Sequence, residues 1–219
     1  MNQHEIAEQL RQLSRMYVHI QKERIKIQNM LESKFQYVDK PDLYSKLRLE
    51  EKNNLRMEYH ILKEMEKIIK EHPYAEWFEG IKGVGPRITA SIIGEIDGAI
   101  YGSIEKDKKV TKSDLKGFGR KFPSTADLWS YAGYSVENGV AKRRKRGEAY
   151  NCNKYLKQTM FQFSESQIKA RGNYRELYDT YKKEQTESHP ELTKKHVDNR
   201  AKRRIIKKFL SDFRHQFLM

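Results

Sequence analysis

From Ile6 onward, apolar or aromatic side chains recur at Ile6, Leu10, Leu13, Tyr17, Ile20, Ile27 and Leu31, an alternation of four- and three-residue steps that fails only at Arg24. A stripe of that kind buries itself on one side of a long helix and leaves the rest wet. The segment FQYVDKPDLY, with Pro41, ends the pattern. Leu55, Leu62, Met65 and Ile69 then resume it, with Glu58 as the polar exception. Two long helices with one apolar stripe each and a short connection predict an antiparallel coiled-coil hairpin, assigned to residues 1–73. Such hairpins hold elements apart or hold copies together, so a homodimer is expected.

His72 and Pro73 stop the second helix, and residues 74–219 read as a compact helical domain. Trp77, Phe78 and Ile81 lead into a Gly-Val-Gly turn, and about ten helical residues follow with Ile88, Ile92 and Ile93. Ser124 and Asp127 have capping-box spacing, Pro123 and Leu128 occupy staple positions, and Gly133 closes a short helix between them. A helix from near Asn151 carries Leu156, Met160, Phe163 and Ile168; Gly172 and Asn173 break it, and Tyr174 to Tyr181 forms another. Past Pro190, a final helix bears Ile205, Ile206, Phe209, Leu210 and Phe213. The fold expected is all-α, with no period-2 strand and no internal repeat.

Charge now narrows the partners. The chain has 44 Lys plus Arg against 30 Asp plus Glu, a net +14. Residues 1–72 hold 14 basic and 12 acidic side chains, whereas residues 169–219 hold 14 and 7. The positive excess therefore belongs to the compact part, and it points to a nucleic acid or another polyanion. Cys152 is the sole cysteine, which leaves no disulfide framework and no zinc-type spacing. No apolar run approaches the roughly 20 residues that span a bilayer, and MNQHEIAEQL lacks a signal-peptide core. An intracellular, cytoplasmic protein without membrane partners is expected.

The stretch IKGVGPRITASIIGE places Lys82, Gly83, Val84, Gly85 and Arg87 at the mouth of a helix. Unpaired first-turn amides, approached through glycine, can receive a phosphate without a Cβ in the way. The pattern resembles the helix-hairpin-helix motif, which grips backbone phosphates without reading bases. The plainer alternative is a tight turn that lets two helices pack. More cations accompany it: Lys108, Lys109, Lys112, Lys116, Arg120 and Lys121 in a loop or tongue over residues 105–121, then Lys142, Arg143, Arg144, Lys145 and Arg146. On the last helix, Arg203, Lys207 and Arg214 fall opposite Ile206 and Phe209, so a basic face outward is expected. Tyr131, Tyr134 and Tyr150 are candidates either for stacking on bases or for burial.

Catalytic signals are thinner. Glu95, Asp97, Glu105, Asp107, Asp114 and Asp127 are the carboxylates near these segments, and no recognisable metal-nuclease arrangement links them. Asp127 suits a cap, and Glu105, Asp107 and Asp114 sit among lysines, which leaves Glu95 and Asp97 open. Ser135, in YAGYSVENG, is the one candidate nucleophile, with no histidine near it in sequence and a turn role as its alternative. No cofactor and no metal site is expected.

The order GVGP, IIGEI, FPSTADLWSYAG, NG, KRRKRG, NKYLK and NRAKRRIIKKFL, over residues 76–213, resembles the C-terminal domain of the insertion-sequence transposases that use a bridge RNA. That resemblance implies a preceding coiled coil, as here, and a RuvC-like domain before it, which a chain opening on the hairpin is expected to lack. It also implies a nucleophilic serine just ahead of a glycine, where this sequence has Asn138 before Gly139. GEIDG with KFPSTADLWSYAG further resembles the Nop domain of box C/D ribonucleoproteins. Nop-like proteins without nuclease domains are implied among the Tas proteins of tandem interspaced guide RNA systems. The resemblances imply a non-catalytic scaffold for a guide RNA directed to a DNA target, with a separate nuclease subunit possible. Two alternatives stand beside it: a stripped or partner-dependent transposase or recombinase, and a structural DNA-binding protein without RNA.

Overall fold

The structure, a computed structural model, describes residues 2–33, 41–104, 122–137, 140–141, 147 and 152–218. Eight helices occur among the described residues. Helix α1 (Gln3–Glu32) and α2 (Pro41–Ile69) form the long antiparallel pair. Asn2 starts α1 with a full capping box: its Oδ1 accepts the Glu5 amide at 2.8 Å, and Glu5 Oε2 accepts the Asn2 amide at 3.1 Å.

The two polar exceptions in the apolar stripes meet each other. Arg24 Nε lies 2.5 Å from Glu58 Oε1 across the hairpin, and Glu58 is buried. A charge pair in an apolar seam fixes register, because any slip leaves both charges buried without a partner. The seam of α2 is Asn54, Glu58, Ile61, Met65 and Ile68, which turns Leu55 out to 56 % exposure. The sequence puts Leu55 on the stripe together with Leu62, Met65 and Ile69; those three pack on the core, and Leu55 alone turns outward.

Beyond α2 come α3 (Ala75–Glu79) and α4 (Pro86–Ile104). Then α5 (Thr125–Tyr131) leads to paired two-residue strands β1 (Val136–Glu137) and β2 (Val140–Ala141), in the register Val136↔Ala141 and Glu137↔Val140. The strands depart from the all-α expectation, because two residues carry no readable period. Helices α6 (Lys154–Ala170), α7 (Arg175–Ser188) and α8 (Lys194–Phe217) complete the chain.

Helix α4 is the axis of the molecule. Every described side chain from Ile88 to Ala99 is buried, because α1, α2 and α6 all pack on this helix. The sequence predicts about ten helical residues here, but α4 runs 19, and Gly94 and Gly98 lie within it, packed against Arg11. A Cβ at Gly94 would lie 2.5 Å from the backbone N of Arg11, and one at Gly98 would lie 3.1 Å from Arg11 Cδ. One core joins Ile6 and Leu10 of α1 to Ile92, Ile93 and Ile96 of α4 and to Phe209 and Phe213 of α8. Packing therefore runs across position 73.

Both carboxylates of α4 are buried and face different neighbours. Glu95 accepts Arg15 through Nε at 2.7 Å and Nη2 at 2.9 Å, and accepts Asn153 Nδ2 at 2.6 Å. Asn153 Nδ2 also reaches the Tyr131 hydroxyl at 2.7 Å, and that hydroxyl donates to the Glu95 carbonyl at 2.9 Å. The stretches IIGEI, SYAG and NKYLK thus meet in one network that locks α1, α4, α5 and the start of α6.

Asp97 lies against His72, Nε2 to Oδ2 3.3 Å, while His72 Nδ1 accepts the Tyr74 amide at 3.3 Å. That acceptor role puts the ring proton on Nε2, toward the carboxylate. Burial pushes the Asp97 carboxyl above its ordinary value, against the opposing pull of His72 and Tyr74. The folded state therefore holds this proton more firmly than the unfolded chain does. Stability contributed by Asp97 is present at low pH and falls as pH rises from near the ordinary 3.8 toward the raised folded value. Asp97→Asn is expected to remove that loss, by on the order of 1 kcal/mol per pH unit of the window. Urea midpoints of both proteins across the acid range measure it; parallel curves would refute it.

Candidate nucleic-acid interface

The Gly-Val-Gly turn divides between folding and exposure. Gly83 has φ 86°, and a Cβ there would sit 2.7 Å from Ala170 Cβ of α6. The carbonyls around it are taken: Lys82 O by Gln167 Nε2 at 2.8 Å, Gly83 O by Ser166, and Gly80 O by Asn173 Nδ2 at 3.3 Å. The Lys82 amide donates to Asn173 Oδ1 at 3.0 Å, and the Val84 amide to Ile81 O at 3.1 Å. Val84 therefore offers no free donor, contrary to the sequence expectation, because the turn closes on it. Gly85 differs: a Cβ there meets nothing within 4 Å, and its φ is not positive. Among the described residues the Gly85 and Arg87 amides have no hydrogen-bond partner. The Lys82 side chain is exposed, whereas that of Arg87 leans on α1, 3.4 Å from Gln21 Oε1 and 5.7 Å from the Tyr17 ring centre.

One face of α8 receives the segment 122–135. Arg203 Nη2 donates to the carbonyls of Tyr134 at 2.6 Å and Ser135 at 2.9 Å, with its guanidinium 5.5 Å from the Tyr134 ring centre. Lys207 Nζ sits 4.1 Å over Trp129, whose Nε1 donates to the Lys207 carbonyl at 3.1 Å. Arg214 donates to the carbonyls of Phe122 at 3.0 Å and Pro123 at 2.5 Å. The expected outward basic face is thus partly covered: chain ends around α5 leave carbonyls that need donors, and Trp129 and Tyr134 supply flat faces for cations. Arg204, one position on, is exposed and lies 5.6 Å from the Tyr181 ring centre.

This face also anchors the ends of both polybasic segments. Residues 105–121 rejoin the described chain at Phe122, held by Arg214, and residues 142–146 leave it at Ala141, whose strand partner Val136 follows Ser135, held by Arg203. Eleven helical positions separate the two arginines, about 16 Å along the axis. Between them, Lys207 loses its proton more readily than an ordinary lysine, because of burial first and then the charges of Arg203 and Arg204. Among the described residues no acid pairs with Lys207. Lys108, Lys109, Lys112, Lys116, Arg120 and Lys121, and Lys142, Arg143, Arg144, Lys145 and Arg146, lie outside the described residues, as do Asn138, Gly139 and Tyr150.

The chemical candidates find structural partners. Ser124 and Asp127 form the capping box of α5, and those Ser124 bonds hold the Asp127 carboxyl below its usual range. Glu95 bonds to Arg15 and Asp97 lies 3.3 Å from His72, while Glu105, Asp107 and Asp114 lie outside the described residues. No group of three His, Cys, Asp or Glu among the described residues is placed to hold a metal ion. Ser135 is half-buried and tied down through its carbonyl, and no His, Asp or Glu among the described residues is hydrogen-bonded to it. Tyr134 is buried, with its hydroxyl donating to Lys157 O at 3.2 Å. No described helix is long and apolar enough to cross a membrane.

No protein-family model matches the sequence, and no curated protein or solved structure matches it at a significant level.

Proposed function

We propose that the protein binds nucleic acid through its sugar-phosphate backbone and acts as a helical scaffold for a structured guide RNA, with DNA as the target that the RNA selects. The observation that carries the reading is the α8 face, where Arg214 holds Phe122 at the end of one polybasic segment, Arg203 holds Ser135 beside the strand pair that precedes the other, and the charges of Arg203 and Arg204 bear on Lys207. A phosphate chain relieves that crowding and lies within reach of both segments. Lys82 and the open amides of Gly85 and Arg87, at the helix-hairpin-helix-like turn, add a second anchoring point of the same chemistry. Sequence choice then rests on base pairing, as in other guided systems, and cleavage on a separate subunit.

Recovering and sequencing the nucleic acid that accompanies the purified protein tests this directly. Discrete small RNA is the expected result. Duplex DNA alone would replace the guide reading with a structural DNA-binding one, and absence of bound nucleic acid together with no affinity for added RNA or DNA would end it.

Self-association is part of the same reading. The outer half of the hairpin exposes Leu49, Leu55, Met57 and Tyr59 on α2 and Ile25 and Met30 on α1, where the arm carries little net charge to keep copies apart.

A further inference from the structure

Beside the start of α4 runs an open groove of about 430 Å³. Arg87 and Ile88 form one wall, and Phe161, Glu165, Ser166 and Lys169 of α6 form the other. The walls are set by backbone packing, since Gly83 lies against Ala170 and its carbonyl accepts the Ser166 hydroxyl. Phe161 is 48 % exposed, although α6 has a core to bury its apolar residues in. Lys202 Nζ stands 5.5 Å from its ring centre. The groove's acid, Glu165, pairs with that same Lys202 at 2.5 Å, which also pairs with Asp198 at 2.7 Å. Lys169 is exposed with no acidic partner among the described residues, and Arg87 bonds to a neutral glutamine. A half-exposed aromatic ring lining a preformed hollow, with two cations beside it, suits a flat ring attached to a phosphate.

We infer that this groove takes one unpaired nucleobase, stacked on Phe161, with its phosphate on Arg87 and Lys169. The inference rests on the nucleic-acid reading above and makes it narrower: the ligand must present a splayed base here, which a continuous duplex does not. Ring stacking is indifferent to base identity, so the site distinguishes single-stranded or looped RNA from paired RNA without reading sequence.

The test compares Phe161→Leu and Phe161→Trp with wild type by fluorescence anisotropy, using a mixed-sequence single-stranded RNA and a blunt duplex of equal length. Leucine keeps an apolar side chain and loses the flat face. It is expected to weaken single-strand binding about tenfold and leave duplex binding unchanged. Tryptophan is expected to restore single-strand affinity, and its added emission to be quenched by the single strand and not by the duplex. Equal weakening of both RNAs by leucine, or an unchanged single-strand affinity, would overturn the base site while leaving phosphate binding in place. Wild-type protein that binds neither RNA would overturn both readings together.

Discussion

Gly94→Val is expected to cost at least about 3 kcal/mol of stability, a large share of the roughly 5–15 kcal/mol that holds a domain folded. The new Cβ would lie 2.5 Å from Arg11 N and 2.6 Å from Arg11 Cα, and backbone cannot rotate aside as a side chain can. Helix α1 would have to lift away. That would unseat Ile6 and Leu10 from the core and stretch the Arg15–Glu95 bonds, leaving the buried Glu95 carboxylate short of its partners. Gly98→Ala supplies the control, because its Cβ would meet Arg11 Cδ at 3.1 Å, and a flexible arginine can give way. Thermal unfolding followed by circular dichroism should place the valine variant roughly 6–12 °C below wild type, with the alanine variant close to it. A valine variant as stable as wild type would mean that α1 and α4 do not approach as described.

Neutralising Lys142, Arg143, Arg144, Lys145 and Arg146 with alanine is expected to have the largest effect on binding. Each phosphate deprived of its cation takes about 0.9 from the salt slope on duplex DNA and about 0.7 on a single strand. With all five cations engaged, the slope flattens by about 4.5 or about 3.5, and affinity at low salt drops by roughly a hundredfold or more. The run follows Ala141 in sequence, whose strand partner Val136 is next to Ser135, a residue held by Arg203. Titrations across a range of salt concentrations decide the matter. A slope unchanged by the substitutions would take the segment out of the interface.

The helices are largely legible in the sequence because each signal is local. A capping box at Ser124 and Asp127 needs only its own turn, and it forms as spacing predicts. The stripe of α1 is likewise readable, but Leu55 is misplaced on α2, where the buried polar position is Glu58, paired with Arg24 thirty-four positions away in the chain. The turn at Gly83 to Arg87 is recognisable, yet which glycine serves packing and which leaves open amides depends on Ala170 and Ser166 of a distant helix. Arg203, Lys207 and Arg214 share a face as their spacing requires, but sequence spacing is silent about what covers that face. Only tertiary contact puts Trp129, Tyr134 and the carbonyls of Phe122 and Pro123 against it. Phe161 carries no warning at all, since a single aromatic in an amphipathic helix reads as core.

The glycine contacts between α1 and α4 also set the mechanics of the whole particle. Helix α1, thirty residues and about 45 Å long, is packed over its first half on the central helix and braced there by Arg15. Force or torque applied near its tip is carried to the body without a hinge at Gly94. Two molecules clasped by their arms would therefore present their charged sides at a set spacing and angle, a caliper that admits only ligands of matching span.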